Sequence, residues 1–162
     1  MGFSIMFMRL GGSEILDADR AGLAAFLASE GLVSSGGSGE LLRVSDGAPL
    51  AFDGYWTDLH LDDVSQEEPV SGGIDHATLS PDEVSFIFHL CVAGKMLVIN
   101  PQGDPLYIVP DGTHERDDVP DPDDVAWVQT PEEFAHALGV SFGAFASFRD
   151  RVVEGSATDA AE

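Results

Sequence analysis

The sequence predicts an α+β fold in which about three to four helices pack on a largely antiparallel sheet of about six to eight strands. Two observations support this prediction. An almost wholly apolar helix candidate runs directly into two strand candidates over Ser80–Pro110. Short connections with hairpin signals, and not crossover helices, separate most of the strands. The 162 residues, 44% of them hydrophobic, are expected to form a single domain over 1–154, followed by a small-residue acidic tail over 155–162.

The chain begins with a strand and a helix. Phe3–Leu10 is apolar at nearly every position, which predicts a strand in the interior of a sheet. A helix over about Ala18–Glu30 is expected next, with Asp17 as its cap and Gly31 as its stop.

The middle of the chain is predicted to be mostly strand. Asp46-Gly47 lies between two short apolar runs, which predicts a β-hairpin there. Tyr55–Asp62 alternates between apolar and polar residues and is typical of a half-buried strand. Its residues expected to face the core are Tyr55, Thr57, Leu59 and Leu61. Its residues expected to face outward are Trp56, Asp58, His60 and Asp62. A loop is predicted over 63–73, followed by a short strand over Ile74–Leu79.

Helix starts are marked by capping residues. Ser80 and Glu83 form a capping box before the apolar helix, and Gly94 is placed to end that helix in a left-handed cap. Two further helices are predicted, one beginning at Thr130 and one at Ser141.

Between these helices, Met96–Asn100 and Leu106–Val109 are predicted to form an antiparallel hairpin. Asp111–Asp124 contains seven acidic residues and two prolines, which predicts an extended acidic loop. Val125–Val128 is predicted to be a strand with Trp127 in the core.

Charge is the most unusual property of the chain, because 29 acidic residues stand against 7 basic ones, for a formal net charge of −22. Such a surface repels nucleic-acid phosphates and anionic membranes, so neither partner is expected. It attracts basic proteins and steers their approach. A second interpretation stays open: a halophilic or otherwise acid-biased proteome produces the same composition without a specific partner.

The cysteine count and the lengths of the apolar runs indicate where in the cell the protein is located. Cys91 is its only cysteine, which rules out an intrachain disulfide and fits a reducing cytoplasm. The first ten residues resemble a strand more than a signal peptide, and no run reaches the ~20 apolar residues of a membrane helix. A cytoplasmic protein is therefore expected.

A search for catalytic and metal-binding patterns identifies none. His89 and Cys91 lie in the apolar helix two positions apart, so a core role is predicted for both. The remaining histidines match no zinc spacing, and no phosphate-binding or nucleophile motif is present. The acidic loop departs from the calcium-binding loop pattern, and its charge is expected to be solvated. The sequence therefore predicts no enzyme, no cofactor and no resident metal.

The expected partner-binding residues lie in two places. The outward face of Tyr55–Asp62 contributes Trp56, Asp58, His60 and Asp62, because large aromatic residues anchor interfaces and carboxylates complement a basic partner. The acidic loop contributes Asp111, Glu115, Asp117, Asp118, Asp121, Asp123 and Asp124. A structural alternative for Trp56 is burial under a helix or loop.

Three stretches carry a resemblance to a known family: MGFSIMFMR with the helix after it, SPDEVSFIFHL running into LVINPQGDPLYIVP, and WVQTPEEFAHALGV. Together they resemble actinobacterial immunity proteins, such as the factor that neutralises the tuberculosis necrotizing toxin, an NAD⁺ glycohydrolase. The resemblance implies one-to-one binding that occludes a toxin's active site, without a cofactor. It transfers no individual functional residue.

The leading hypothesis is thus a non-catalytic antitoxin that binds a basic toxin through an acidic surface. One alternative is a nucleic-acid mimic that blocks a DNA- or RNA-binding protein. Another is a small enzyme whose site assembles from scattered His, Asp and Tyr residues, and a fourth is an acidic structural domain. A deep pocket that brings two of His60, His76 and His114 together would favour the enzyme.

Overall fold

A computed structural model describes residues 3–35, 38–52, 54–101, 103 and 105–139. Over these residues the fold is α+β, as predicted, with one seven-stranded mixed sheet and two two-stranded sheets. The helices are Arg20–Ser29 (α1), Pro81–Gly94 (α2) and a helix over 131–139 (α3). The strands are Ile5–Gly11 (β1), Glu14–Leu16 (β2), Leu32–Ser34 (β3), Leu41–Arg43 (β4), Ala51–Phe52 (β5), Tyr55–Trp56 (β6), His60–Leu61 (β7), Gly72–Ile74 (β8), Leu97–Ile99 (β9), Tyr107–Pro110 (β10) and Val125–Val128 (β11). The predicted helix from Ser141 and the acidic tail lie outside the described residues.

The first strand is central in the main sheet, as its apolar sequence predicts. The strand order is β11-β10-β9-β1-β8-β7, and β2 forms a hairpin with β1. All neighbours pair antiparallel except β10 and β11, which are parallel. Because a parallel connection must return to the end of the sheet where it began, Asp111–Asp124 crosses one sheet face between these two strands.

Tyr55–Asp62 is not one continuous strand. Its first part, β6, pairs with β5 in a separate ribbon, while β7 joins the main sheet. The break lies at Thr57, whose Oγ1 accepts a hydrogen bond from the Leu59 backbone N–H at 3.2 Å and so turns the chain. Thr57, Leu59 and Leu61 are buried as predicted, but Tyr55 is 73% exposed because the ribbon stands away from the main sheet.

The strand predicted over Ile74–Leu79 is also displaced. The observed strand, β8, begins two residues earlier, so that Gly72 and Gly73 lie in the predicted loop and only Ile74 in the predicted strand. The strand contains two glycines because space is short: a Cβ on Gly72 would lie 2.6 Å from the Phe7 ring. Glycines carry no hydrophobic pattern, so periodicity misses this strand.

Two of the predicted helix caps, Asp17 and Gly94, are displaced by one or two residues. Asp19, not Asp17, caps α1 by accepting from Gly22 N, while Asp17 accepts from the Arg20 side chain. Ser80 caps α2 as predicted. At its other end Lys95, at φ 55°, takes the left-handed position expected of Gly94.

Apolar side chains occupy both sides of the sheet. The large core lies between the sheet and the helices and includes Cys91, whose burial raises the pKa of its thiol. His89, predicted to share that core, is exposed and touches the edge of the Phe88 ring.

A smaller cluster lies on the opposite sheet face. There Val119 and His114 are buried, so the predicted extended, solvated loop is instead a covering segment with a 3-10 turn at Arg116–Asp118. The small cluster also includes Leu10, Leu97 and Val109.

Within the described part of the chain, no helix has the length and apolar character needed to cross a membrane.

Candidate functional site

The clearest candidate site is a shallow cavity beside Trp56. The indole is 61% exposed, and its Nε1–H donates to Glu40 Oε1 at 3.4 Å. The cavity has a volume of about 250 Å³ and is lined by Ser38, Glu40, Trp56, Asp58, Leu59 and His60. Three of the four residues predicted on the outward face of this segment therefore meet at one place. Glu40 also belongs to the site and was missed, because only the bridge between Glu40 and His60 brings it there.

Asp58 is held in place by the turn after β8. Its carboxylate accepts from the backbone N–H groups of Asp75 and His76, both at 3.2 Å, and contacts His76 Nδ1 at 2.6 Å. Burial acts to raise the pKa of Asp58, but these hydrogen bonds outweigh it and leave the pKa below the usual range. The cavity therefore keeps a negative charge at neutral pH.

Asp62, the fourth predicted residue of this face, has a different role. Its Oδ2 accepts from Ser71 N at 3.0 Å, from Ser71 Oγ at 3.3 Å and from Gln66 Nε2 at 3.3 Å. The side chain is half-buried and ties the loop between β7 and β8 together. It is thus separate from the cavity at Trp56.

In the acidic segment, several carboxylates hold the backbone in shape. Asp118 Oδ2 accepts from Glu115 N at 2.9 Å at the start of the 3-10 turn. Asp124 Oδ1 accepts from Leu106 N at 3.0 Å, which fastens the segment to β10. Asp121 Oδ1 accepts from Asp123 N at 3.2 Å.

The same segment presents an acidic surface to solvent. Asp123 lies 3.3 Å from Arg116 in an exposed ion pair, which neutralises part of the charge. Asp111 and Asp117 are exposed. Asp111 takes a left-handed backbone at φ 44°, where the chain turns away from β10. The seven predicted acidic residues of this segment therefore have two roles: some hold the backbone by hydrogen bonds, and others leave their charge exposed to solvent.

His114 is the buried histidine of this segment, and the sequence names it only among the three scattered histidines of the enzyme alternative. Its Nε2 accepts from the Leu10 backbone N–H at 3.0 Å, and its Nδ1 lies 2.9 Å from Thr113 Oγ1. Thr113 Oγ1 donates in turn to the Met96 carbonyl at 3.3 Å. This chain requires a neutral ring with its proton on Nδ1. Burial lowers the pKa of His114 to about 4, which fits that requirement.

Three of the five histidines line separate cavities. One cavity is lined by His60, one of about 380 Å³ by His114 with Arg9 and Lys95, and one of about 460 Å³ between β11 and α3 by His136. Each of these three has a single lining histidine, so none supplies the pair that would favour the enzyme alternative. Among the described residues, no group of three or more His, Cys, Asp or Glu side chains is arranged to hold a metal ion.

Trp127, predicted in the core, is 42% exposed. Its register opposite Val109 points it to the sheet face away from the helices. Comparison with known proteins adds no family to these observations: no protein-family model, curated protein or solved structure matches the chain. The fold and the site define a protein with an acidic surface on which two tryptophans are exposed.

Proposed function

We propose that the protein is a non-catalytic inhibitor of the immunity-protein class, which binds a basic toxin through its acidic surface and blocks the toxin's active site. The observation that carries this proposal is the exposed Trp56 beside the carboxylates of Glu40 and Asp58. An exposed tryptophan surrounded by polar groups is typical of an interface anchor, since the energy of protein interfaces concentrates in a few large residues.

The charge of the chain suits such a partner. A net charge of −22 makes encounter with a cationic cleft fast and encounter with acidic proteins slow. The described carboxylates around Trp56 and in the acidic segment would pair with Arg or Lys in that cleft. The family resemblance suggests an NAD⁺ glycohydrolase as the toxin, whose substrate also carries negative charge. The cofactor-free binding implied by the resemblance requires no group beyond these side chains.

Capture of the partner tests this function. The tagged full chain is incubated at low salt with a lysate of the organism that encodes it, and bound proteins are identified by mass spectrometry. We expect one basic protein in near-equimolar yield, whose toxicity on expression is relieved by co-expression of this chain. A Trp56→Ala variant should recover about tenfold less of it, because truncating an interface anchor commonly costs more than 1 kcal/mol.

Tyr55→Ala is the matched control. Tyr55 is the neighbouring exposed aromatic residue of β6 and points to the other side of the ribbon, so its replacement should leave recovery unchanged. Recovery of only abundant basic proteins, with the two variants behaving alike, would contradict the proposed function.

A further inference from the structure

The strand register places six residues in one row across the main sheet. Each is the direct partner of the next, so their side-chain positions share one face. The row is His60, Gly73, Met6, Ile99, Tyr107 and Val125. The neighbouring row, which includes Phe7, Val98 and Ile108, is buried toward the helices. The first row therefore lies on the opposite face and is called the open row below.

The acidic segment covers only part of this face. Leu97 and Val109 lie two residues along their strands from Ile99 and Tyr107 of the open row. They are fully buried against Val119 of the acidic segment. The open row is partly uncovered: Met6 is 41% exposed, Ile99, Tyr107 and Val125 are half-buried against the small cluster, and Gly73 is buried. Five strand spacings of about 4.8 Å make the row about 24 Å long. That length is close to the width of a patch of about 800 Å², the usual contribution of one partner to a stable interface.

Acidic groups stand at both ends of the open row. At the β7 end, Glu40 bridges to His60 and accepts from Trp56, so the cavity described above continues the row. At the β11 end, the exposed Asp121 and Asp123 of the acidic segment lead into the strand, and Trp127 is exposed on the face of the open row. The two surfaces that the sequence predicts separately therefore border one apolar strip.

We infer that the open row is the apolar centre of the docking surface, and that it receives a protein surface with an apolar middle and a basic rim. This inference rests on the proposed function and specifies its interface. Charge complementarity selects the occupant: carboxylates at both ends attract a cationic rim, whereas a second copy of a chain with net charge −22 is repelled. Apolar contact in the middle supplies affinity that charge alone does not.

The full chain by itself gives the first test. We expect a monomer in sedimentation velocity, in which dilute hydrogen peroxide oxidises Met6 much faster than the fully buried Met96. A dimer that the Met6→Thr variant disperses would assign the row to a second copy. Protection of Met6 in a monomer would assign it to another part of this chain. Either result would overturn the inference.

Synthetic peptides give the second test. The first probe is a helical peptide with a leucine face and a lysine face, the second replaces leucine by alanine, and the third replaces lysine by glutamate. By calorimetry at low salt, we expect the lysine–leucine peptide to bind most tightly and the glutamate peptide not to bind. A Met6→Thr/Trp127→Thr variant should bind the lysine–leucine peptide about tenfold more weakly.

Val33→Thr is the matched control, since Val33 is an exposed apolar residue in β3, outside the main sheet. Denaturant unfolding of each variant checks that threonine leaves the fold intact. Equal binding of the two lysine peptides, unchanged in the double variant, would overturn the open row while leaving an acidic binding surface in place. Failure of both lysine peptides to bind would contradict the inference and the charge-based attraction in the proposed function together.

Discussion

Replacing Gly22 with alanine is expected to lower the free energy of unfolding by about 3 kcal/mol, because α1 and α2 touch backbone to backbone at this position. A Cβ on Gly22 would lie 2.1 Å from the Ala93 carbonyl oxygen. Because this oxygen belongs to the backbone, it cannot move aside by a change of side-chain rotamer. The helices would have to separate, which also loosens the hydrogen bond of 2.8 Å from Asp19 N to the Gly94 carbonyl. Chemical denaturation followed by far-ultraviolet circular dichroism measures the loss.

Gly139→Ala is the control for helix propensity. Gly139 also lies in a helix, but a Cβ there would meet nothing within 4 Å. This variant should be as stable as the parent or up to about 1 kcal/mol more stable. If Gly22→Ala unfolds at the same denaturant concentration as the parent, the close approach of the two helices is wrong.

The contribution of His114 to the free energy of unfolding should decrease by about 3 kcal/mol as the pH falls from 6.5 to 4, because His114 is neutral in the folded protein. Its pKa is lowered from 6.5 to about 4 on folding, so within this window the unfolded chain binds more protons than the folded one. Stability is therefore fully present above the unfolded pKa and is lost progressively below it. Urea unfolding at several pH values measures this dependence.

The His114→Gln variant should remove most of this pH dependence, since a glutamine carbonyl can accept from Leu10 N–H without titrating. His89→Gln, which replaces an exposed histidine, should retain it. Glu83 acts in the opposite direction: its burial outweighs hydrogen bonds from Leu79 and Thr78 and raises its pKa, so its contribution improves as the pH falls. The difference between the His114→Gln variant and the parent isolates the contribution of His114 to the pH dependence of stability. An identical pH profile in the two proteins would contradict that contribution.

Much of the scaffold is predictable because its signals are local. The capping residue Ser80 and the apolar run after it define α2, and the apolar run of β1 predicts its central place. The start of α3 follows in the same way from Thr130, whose Oγ1 accepts from Glu133 N at 3.1 Å. In contrast, β8 depends on how closely Phe7 approaches Gly72, which no periodicity in the sequence records.

The surface was less predictable because it depends on pairing between distant strands. Alternation correctly predicts that Trp56 faces solvent, but the cavity also needs Glu40, which reaches it through a bridge to His60. Trp127 looks like a core residue in a strand of four apolar positions. Only the parallel pairing of β10 and β11 places it on the face away from the helices. The open row has no sequence signal, since its members come from six strands.

The most direct test of the central claim, that an acidic surface steers a basic partner into place, is the ionic-strength dependence of the association rate constant. Stopped-flow or surface-based kinetics with the captured partner would follow this constant from about 20 mM to about 500 mM salt, where the screening length falls well below 10 Å. We predict a decrease of about tenfold or more, with a much smaller change in the dissociation rate constant. An association rate constant that does not change with salt would contradict the claim.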